Sequence, residues 1–359
     1  MNLLDLSFKA GKSRICLSTD FSNLPEQIHL LGFNRRAIVI ADKSVAAFHQ
    51  PHLAQVLSFM SLDWIYLSKG EEGKNQQGYL ELIQKVDSLN PTRNTLIIAL
   101  GGGVTGDMAG FVAATMLRGL PWIQLPTSLL AMVDASVGGK VGVNTENGKN
   151  RLGAFYQPPL VYMATDTLQT LPLPELRSGI GEMIKHCLIA DQKGFELFEQ
   201  NSHTIVNAKS EHLIELIERS IKVKAHIVQS DEQERNLRAL LNFGHTVGHA
   251  IEKVTGFGQL RHGECVGLGV LAELFFTCQE FSTPLDIFNK TAKLLVELGL
   301  PTAVQVQSIS HLVDASHYDK KIDHGMINLT HVTSIGHAHL FQFPIQKLSS
   351  LFSYFSEPS

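Results

Sequence analysis

No stretch of this 359-residue chain is apolar for the roughly eighteen residues that a membrane span needs. The opening MNLLDLSFKAGKSRICLSTD lacks a basic segment followed by a long apolar one, so neither secretion nor membrane insertion is expected. Positive charge is also in short supply: 30 Lys and Arg face 34 Asp and Glu, a formal net charge of -4. No global basic field exists to hold nucleic acid or an anionic membrane, and an anionic ligand must be met by a local cluster of Lys and Arg. The four cysteines, Cys16, Cys187, Cys265 and Cys278, are scattered without a CxxC pair, which disfavours a disulfide framework and a thiolate zinc site and suits a reducing, cytoplasmic setting. Internal repeats and low-complexity segments are lacking too.

What is present reads as two domains, the expectation for a chain of this length. RAIVIAD (36–42) and NTLIIALGGG (94–103) are β-branched runs ending in Asp or Gly, as buried parallel strands do, and DWIYLSKG (63–70) and PWIQLPTS (121–128) are further strands. GYLELIQKVDSLN (78–90) has helical spacing between them. The alternation predicts an α/β, Rossmann-like domain with a parallel sheet over 1–170, with ligands at the carboxyl ends of its strands. The prolines of LPLPELRSG (171–179) mark a boundary, after which amphipathic stretches such as EHLIELIERSIKVKAHIVQS predict an all-α domain over 171–359. Strand-like alternation returns only in INLTHVTSIGHAHLFQF near the end. The active cleft is expected between the two halves.

TLIIALGGGVTGD places Gly101, Gly103 and Gly106 in G-x-G-x-x-G spacing between a strand and the helical MAGFVAATMLRG. Such glycines bring backbone N–H groups and a helix N-terminus against a pyrophosphate. The loop follows a later strand than in a standard Rossmann unit, and no acid lies about twenty residues on. Asp42, ending the earlier strand, fits two roles: a ribose contact or a helix N-cap. PTSLLAMVDASVGGKVGVNTENGKNRLGAF (126–155), which carries Asp134 and Asn150, reads as a long functional loop whose Lys140 and Lys149 suit either solvent or a phosphate.

RALLNFGHTVGHAIEKVTGFGQLRHGECV (238–266) carries an unusual polar stripe. As one helix it would set Arg238, Asn242, His245 and His249 on a single face, at steps of four, three and four. His262 follows in RHGE. Two histidines of a zinc site need a carboxylate, and the best candidate is Glu182 in RSGIGEMIKHCLIAD, among the apolar Ile180, Met183, Ile184 and Leu188. Two His and one Glu leave a coordination position open, as in catalytic zinc sites. Lys185, on the same face, offers the plainer alternative of an ion pair with Glu182. Lys224 fills a gap in the stripe of Ile214, Ile217, Ile221 and Val228, where it either snorkels to water or faces an anion.

On GGGVTGDMAGFVAATMLRG, QLPTSLLAMVDASVGGKVGVN, GKNRLGAFYQP, LNFGHTVGHAIE, RHGE and DKK (319–321), the chain closely resembles the 3-dehydroquinate synthase family over roughly residues 70–321. The resemblance implies an NAD-binding α/β domain followed by a helical one, usually in a homodimer. It implies a divalent metal, zinc or cobalt, on Glu182, His245 and His262, with His249 near the substrate phosphate rather than on the metal. Asp134, Lys140, Asn150, Lys185, Lys224, Arg238, Asn242 and Lys320 or Lys321 look like the substrate shell, and Arg118 resembles an arginine contributed across the dimer interface. NAD would contact Asp42, Gly70, Glu71, Lys74, Gly102, Gly103, Val104, Gly106, Asp107, Thr127, Ser128, Lys140, Lys149, Thr167, Leu168, Gln169 and Thr170. Ser128, Met132, Ala135, Asn236 and Lys69 depart from the family's usual residues without removing a group assigned to chemistry.

The implied reaction converts 3-deoxy-D-arabino-heptulosonate 7-phosphate to 3-dehydroquinate and phosphate. It runs by transient oxidation with NAD, phosphate elimination, reduction and intramolecular aldol closure. Another sugar-phosphate cyclase and a metal-dependent polyol dehydrogenase are the alternatives. The partner is a small sugar phosphate, with no nucleic acid and no membrane.

Overall fold

The computed structural model describes residues 2–9, 11–67, 70–146, 148–234, 236–256, 258–281, 283–305, 308–316 and 325–356. Lys69, Lys320 and Lys321 lie outside the described residues. The chain divides into two compact units, Met1–Leu171 and Pro172–Ser359.

In the first unit the aliphatic runs become strands, because side chains that alternate across a pleat can bury both faces of a sheet. The strands are β1 (Asn2–Phe8), β2 (Gly11–Ser18), β3 (Arg36–Asp42), β4 (Ser61–Leu67), β5 (Leu96–Gly101), β6 (Trp122–Pro126), β7 (Lys140–Thr145), β8 (Gly148–Phe155) and β9 (Leu160–Ala164). Seven form one sheet in the order β1-β2-β9-β6-β5-β3-β4, parallel except for β1 along the edge. On one face Val39, Ala41, Ile98 and Leu100 pack with Ala46 and Leu53 of the helix Lys43–Val56. On the other, Ile38, Ile40, Ile97 and Trp122 pack with Met108, Ala109 and Val112 of the helix Gly103–Thr115 and with Tyr79, Leu82 and Val86 of Gln76–Ser88.

Strand β3 leads outward to β4, whereas β5 leads the opposite way to β6, so the order reverses between β3 and β5. Open α/β sheets bind ligands at the carboxyl ends of the strands flanking such a reversal. Those ends here are Asp42 and the Gly101–Gly103 loop.

The second unit begins at Pro172, which precedes the helix Leu173–Ala190. The helices Gln192–Ile205, Glu211–Ser230, His245–Thr255, His262–Glu280, Leu285–Glu297 and Ile309–Ser316 follow. The alternating terminal segment is an antiparallel hairpin, β10 (Met326–Ser334) with β11 (His337–Pro344).

Helix His262–Glu280 is buried along most of its length and threads between its neighbours by backbone contact. A β-carbon on Gly263 would overlap the Ser178 carbonyl, one on Gly181 would overlap the Gly263 carbonyl, and one on Gly269 would overlap the Gly244 carbonyl. These close approaches need glycine on steric grounds alone. They bring together the chain positions next to Glu182, His245 and His262.

Two local expectations are corrected. Residues 238–249 are not one helix: Leu237–Asn242 is a 3-10 turn, Gly244 is left-handed at φ 76°, and a new helix starts at His245. Arg238 and Asn242 therefore do not share a helical face with His245 and His249. The 126–155 segment is not a long loop either, since it folds into a π-helical turn at Ala131–Ala135 and the β7–β8 hairpin, which buries Val141 and Val143 against the sheet.

The helix His262–Glu280 supplies a matched test. Gly269→Ala should destabilise the protein by about 1–3 kcal/mol through overpacking. Gly267→Ala, whose β-carbon would meet only Leu295 at ordinary contact distance, should be neutral or stabilising by up to about 1 kcal/mol through helix propensity. Urea midpoints of the two variants compare them directly, and equal midpoints would refute the close-approach account.

Candidate active site

In the second unit the fold places three of the predicted donors around one point. Glu182 is fully buried on the helix Leu173–Ala190. Its Oε1 lies 3.5 Å from His245 Nε2 and 3.5 Å from His262 Nε2. The opposite ring nitrogens face acceptors: His245 Nδ1 is 3.2 Å from the Phe243 carbonyl oxygen, and His262 Nδ1 is 2.8 Å from Glu252 Oε1. An imidazole that donates Nδ1–H to an acceptor turns the lone pair of Nε2 outward. Two lone pairs then confront a carboxylate oxygen, an arrangement that calls for a cation or a proton.

The spacing fits a metal. Donors at about 2.0–2.2 Å from a tetrahedral zinc lie roughly 3.3–3.5 Å from one another. The ring of His249 stands beside the other two, with centroids 5.4 Å from His245 and 5.8 Å from His262. One ring nitrogen from each of the three histidines lies within 4.8 Å of the others. His245 and His262 share Glu182 Oε1 at 3.5 Å each.

Protons compete for the same place. Burial alone would lower the pKa of His262, but hydrogen bonds and charge from Glu182 and Glu252 outweigh it and raise the value to about 9.

Lys185 is fully buried, ion-paired with Glu182, and donates to the Leu241 carbonyl at 2.8 Å. The plainer reading of Lys185 as an ion-pair partner is thus realised, and it ties the 173–190 helix to the 3-10 turn. Lys224 is buried on the helix Glu211–Ser230, so it does not snorkel. Arg238 is also buried, donating from Nη1 to the Glu232 carbonyl at 2.6 Å, and Asn242 Nδ2 donates to Glu234 Oε1 at 2.9 Å. His186 is a core histidine, bonded to Ser220.

In the first unit Asp42 and the Gly101–Gly103 loop stand at the strand ends flanking the sheet reversal. Asp42 Oδ1 accepts from Ser44 N at 2.8 Å and Val45 N at 3.3 Å, which makes it an N-cap. It also lines an open cavity of about 420 Å³ with Lys43, Ser44 and Leu67, so capping does not remove it from a ligand's reach. The helix Gly103–Thr115 starts after Gly102 with no side-chain cap, leaving its first turn of N–H groups to be met otherwise. Val104 and Asp107 follow on that turn, and Gly106 lies against the Gln124 side chain. Lys74 Nζ pairs with Asp107 Oδ2 at 2.5 Å. Thr127 N donates to the Gly101 carbonyl, and Ser128 Oγ accepts from Ala131 N at 3.2 Å. Thr167 and Leu168 are buried in the 3-10 turn Thr165–Thr170, while Gln169 and Thr170 are exposed, the latter bonded to His49 at 2.9 Å.

Gly70 and Glu71 are exposed on the short helix Gly70–Gly73. Lys140 opens β7, and Lys149 and Asn150 lie on β8, where Asn150 is left-handed at φ 52°. Asp134 sits in the π-helical turn. Arg118 lies in an exposed turn, at φ 65°.

Three residues escaped the sequence reading. Asn144 donates to Glu71 Oε1 at 2.7 Å and accepts from Asn150 N at 2.9 Å, linking the hairpin to the 70–73 segment. Glu273, buried, accepts from Gly244 N at 2.9 Å and so holds the left-handed turn before His245. Glu252 meets His262 from three residues beyond His249, a spacing that HAIE displays.

The four cysteines are free. No helix among the described residues is long and apolar enough to cross a membrane.

Comparison with known proteins places the chain in a family. The 3-dehydroquinate synthase N-terminal family matches residues 64–178, and the 3-dehydroquinate synthase C-terminal family matches residues 179–322. A 3-dehydroquinate synthase of Acetivibrio thermocellus is 38% identical over 324 residues, covering 90% of this chain and 88% of that protein. Among solved structures, 2-epi-5-epi-valiolone synthase from Streptomyces hygroscopicus, with NAD+ and Zn2+ bound, superposes with a TM-score of 0.88 at 22% identity, covering 97% and 98% of the two chains. A 2-deoxy-scyllo-inosose synthase complexed with carbaglucose-6-phosphate, NAD+ and Co2+ gives 0.86 at 23% identity, covering 99% and 100%. At those identities the two structures establish the fold. The sequence matches establish more: the chain belongs to the 3-dehydroquinate synthase family.

Proposed function

We propose that the chain converts 3-deoxy-D-arabino-heptulosonate 7-phosphate into 3-dehydroquinate and inorganic phosphate. It acts as a carbon–oxygen lyase dependent on NAD and on zinc or cobalt. The observation that carries the proposal is the convergence of His245 Nε2 and His262 Nε2 on Glu182 Oε1 at 3.5 Å each, in a chain 38% identical to a 3-dehydroquinate synthase.

Glu182, His245 and His262 would hold the metal. Asp42, the 102–107 loop, Gly70, Glu71, Lys74, Thr127, Ser128, Lys140, Lys149 and the 167–170 segment would hold the dinucleotide. When bound, the metal supplies Lewis-acid polarisation of a substrate hydroxyl and NAD supplies reversible hydride acceptance.

The protein's own groups do the rest. Lys224 and Arg238 keep their cationic heads in buried surroundings, where charge-assisted bonds to the substrate's carboxylate and phosphate are strong. Lys185 balances Glu182 and adds a third cation. Asn242, Asn150, Asp134, Lys140 and one of Lys320 and Lys321 complete the polar shell that orients the sugar. His249 stands beside both imidazole donors and would hydrogen-bond the substrate or a water near its phosphate. Arg118, in its exposed turn, serves the site of a second copy in a homodimer. The cytoplasm is the proposed compartment.

Purified protein mixed with NAD, a divalent metal and the heptulosonate phosphate should release phosphate with no lasting absorbance at the NADH band. Stoichiometric NADH would instead identify a polyol dehydrogenase and refute the proposal. His245→Ala should lose both metal and turnover, read by metal analysis of the dialysed protein.

Metal uptake should also depend on pH. With His262 protonated up to about 9, a metal must displace that proton. Apparent affinity should therefore fall about tenfold for each pH unit below that value, measured by competition with a chelator of known pH dependence. A flat profile between pH 7 and 9 would contradict the raised pKa of His262.

A further inference from the structure

Glu252 belongs to neither the proposed metal ligands nor the proposed substrate shell, yet its placement is specific. It shares one face of the helix His245–Thr255 with His245 and His249, at steps of four and three. Its side chain is 6% exposed, and Oε1 stands 2.8 Å from His262 Nδ1. Burying a carboxylate is costly unless it is paired, and the imidazole N–H is the partner shown. The two proposed imidazole ligands are thereby held differently: His245 by the neutral carbonyl of Phe243 at 3.2 Å, His262 by a full negative charge.

We propose that Glu252 is a positioning residue for the metal: it fixes the tautomer and ring direction of His262 and, through its charge, sets how tightly that ring binds a divalent cation. The inference rests on the proposed metal set. A carboxylate behind an imidazole raises the ring's basicity toward a metal, and removing such a partner commonly weakens metal binding about 10–100-fold. Charge balance points the same way. Glu182 is already ion-paired with Lys185, and Glu252 adds a further buried carboxylate beside the proposed ligands.

The test compares full-length wild type with Glu252→Gln, Glu252→Asp and His245→Ala. Zinc affinity is read by competition with a chromophoric chelator, the visible spectrum of the cobalt-loaded forms reports ligand geometry, and thermal midpoints are taken without metal. Glu252→Gln keeps the shape and an acceptor oxygen but loses the charge. It should bind zinc about 10–100-fold more weakly and shift the cobalt spectrum, with a metal-free midpoint close to wild type. Glu252→Asp, which keeps the charge, should recover part of the affinity and serves if the Gln variant folds poorly. Wild-type zinc affinity in Glu252→Gln, with zinc lost from His245→Ala, would overturn this inference alone. Undiminished zinc in His245→Ala would overturn the metal assignment and the inference with it.

Discussion

Everything proposed for the second unit depends on the distance between backbones. The helix His262–Glu280 lies so near Ser178–Gly181 and Gly244 that β-carbons at Gly181, Gly263 or Gly269 would overlap neighbouring carbonyls. Each of those contacts falls one residue from a proposed donor or at the turn that launches it. Shortening the gap between elements lets short, stiff side chains from separate helices reach one point. The donor geometry thus follows from packing and needs no local motif of the HExxH kind, which the chain lacks.

Around that point the electrostatics form a chain of supports. Glu252 and the Phe243 carbonyl orient the imidazoles, Glu273 holds the Gly244 turn, and Lys185 neutralises Glu182 while gripping the Leu241 carbonyl. A fully buried carboxylate with such neighbours is strongly committed to a charged partner, since breaking a buried pair typically costs about 3–5 kcal/mol. The first unit uses a different device. Its sheet reverses order between β3 and β5, and at that reversal an uncapped helix start and Asp42 stand at adjacent strand ends.

The strands and helices with strong periodicity were legible: RAIVIAD is β3 residue for residue, and GYLELIQKVDSLN is the helix Gln76–Ser88 shifted by two. The β7–β8 hairpin was hidden because its glycines and asparagines mask the alternation of Val141 and Val143. The polar stripe is legible in the sequence, but its break at Gly244 is not. Gly244 is tolerable in a helix by local rules, and its left-handed turn is held by Glu273, 29 residues away, an interaction no short window contains. The true stripe on the helix is His245, His249 and Glu252. Glu182 was found because a carboxylate among Ile180, Met183 and Ile184 demands an explanation, whereas Glu252 sits at the end of a helical pattern where acids pass unnoticed.

The most direct measurement of the central claim is X-ray absorption at the zinc edge of the metal-loaded protein. The account predicts one zinc per chain with two imidazole nitrogens and carboxylate oxygen in its first shell, and no zinc retained by dialysed His245→Ala. A sulfur ligand, or a first shell unchanged by that substitution, would contradict it.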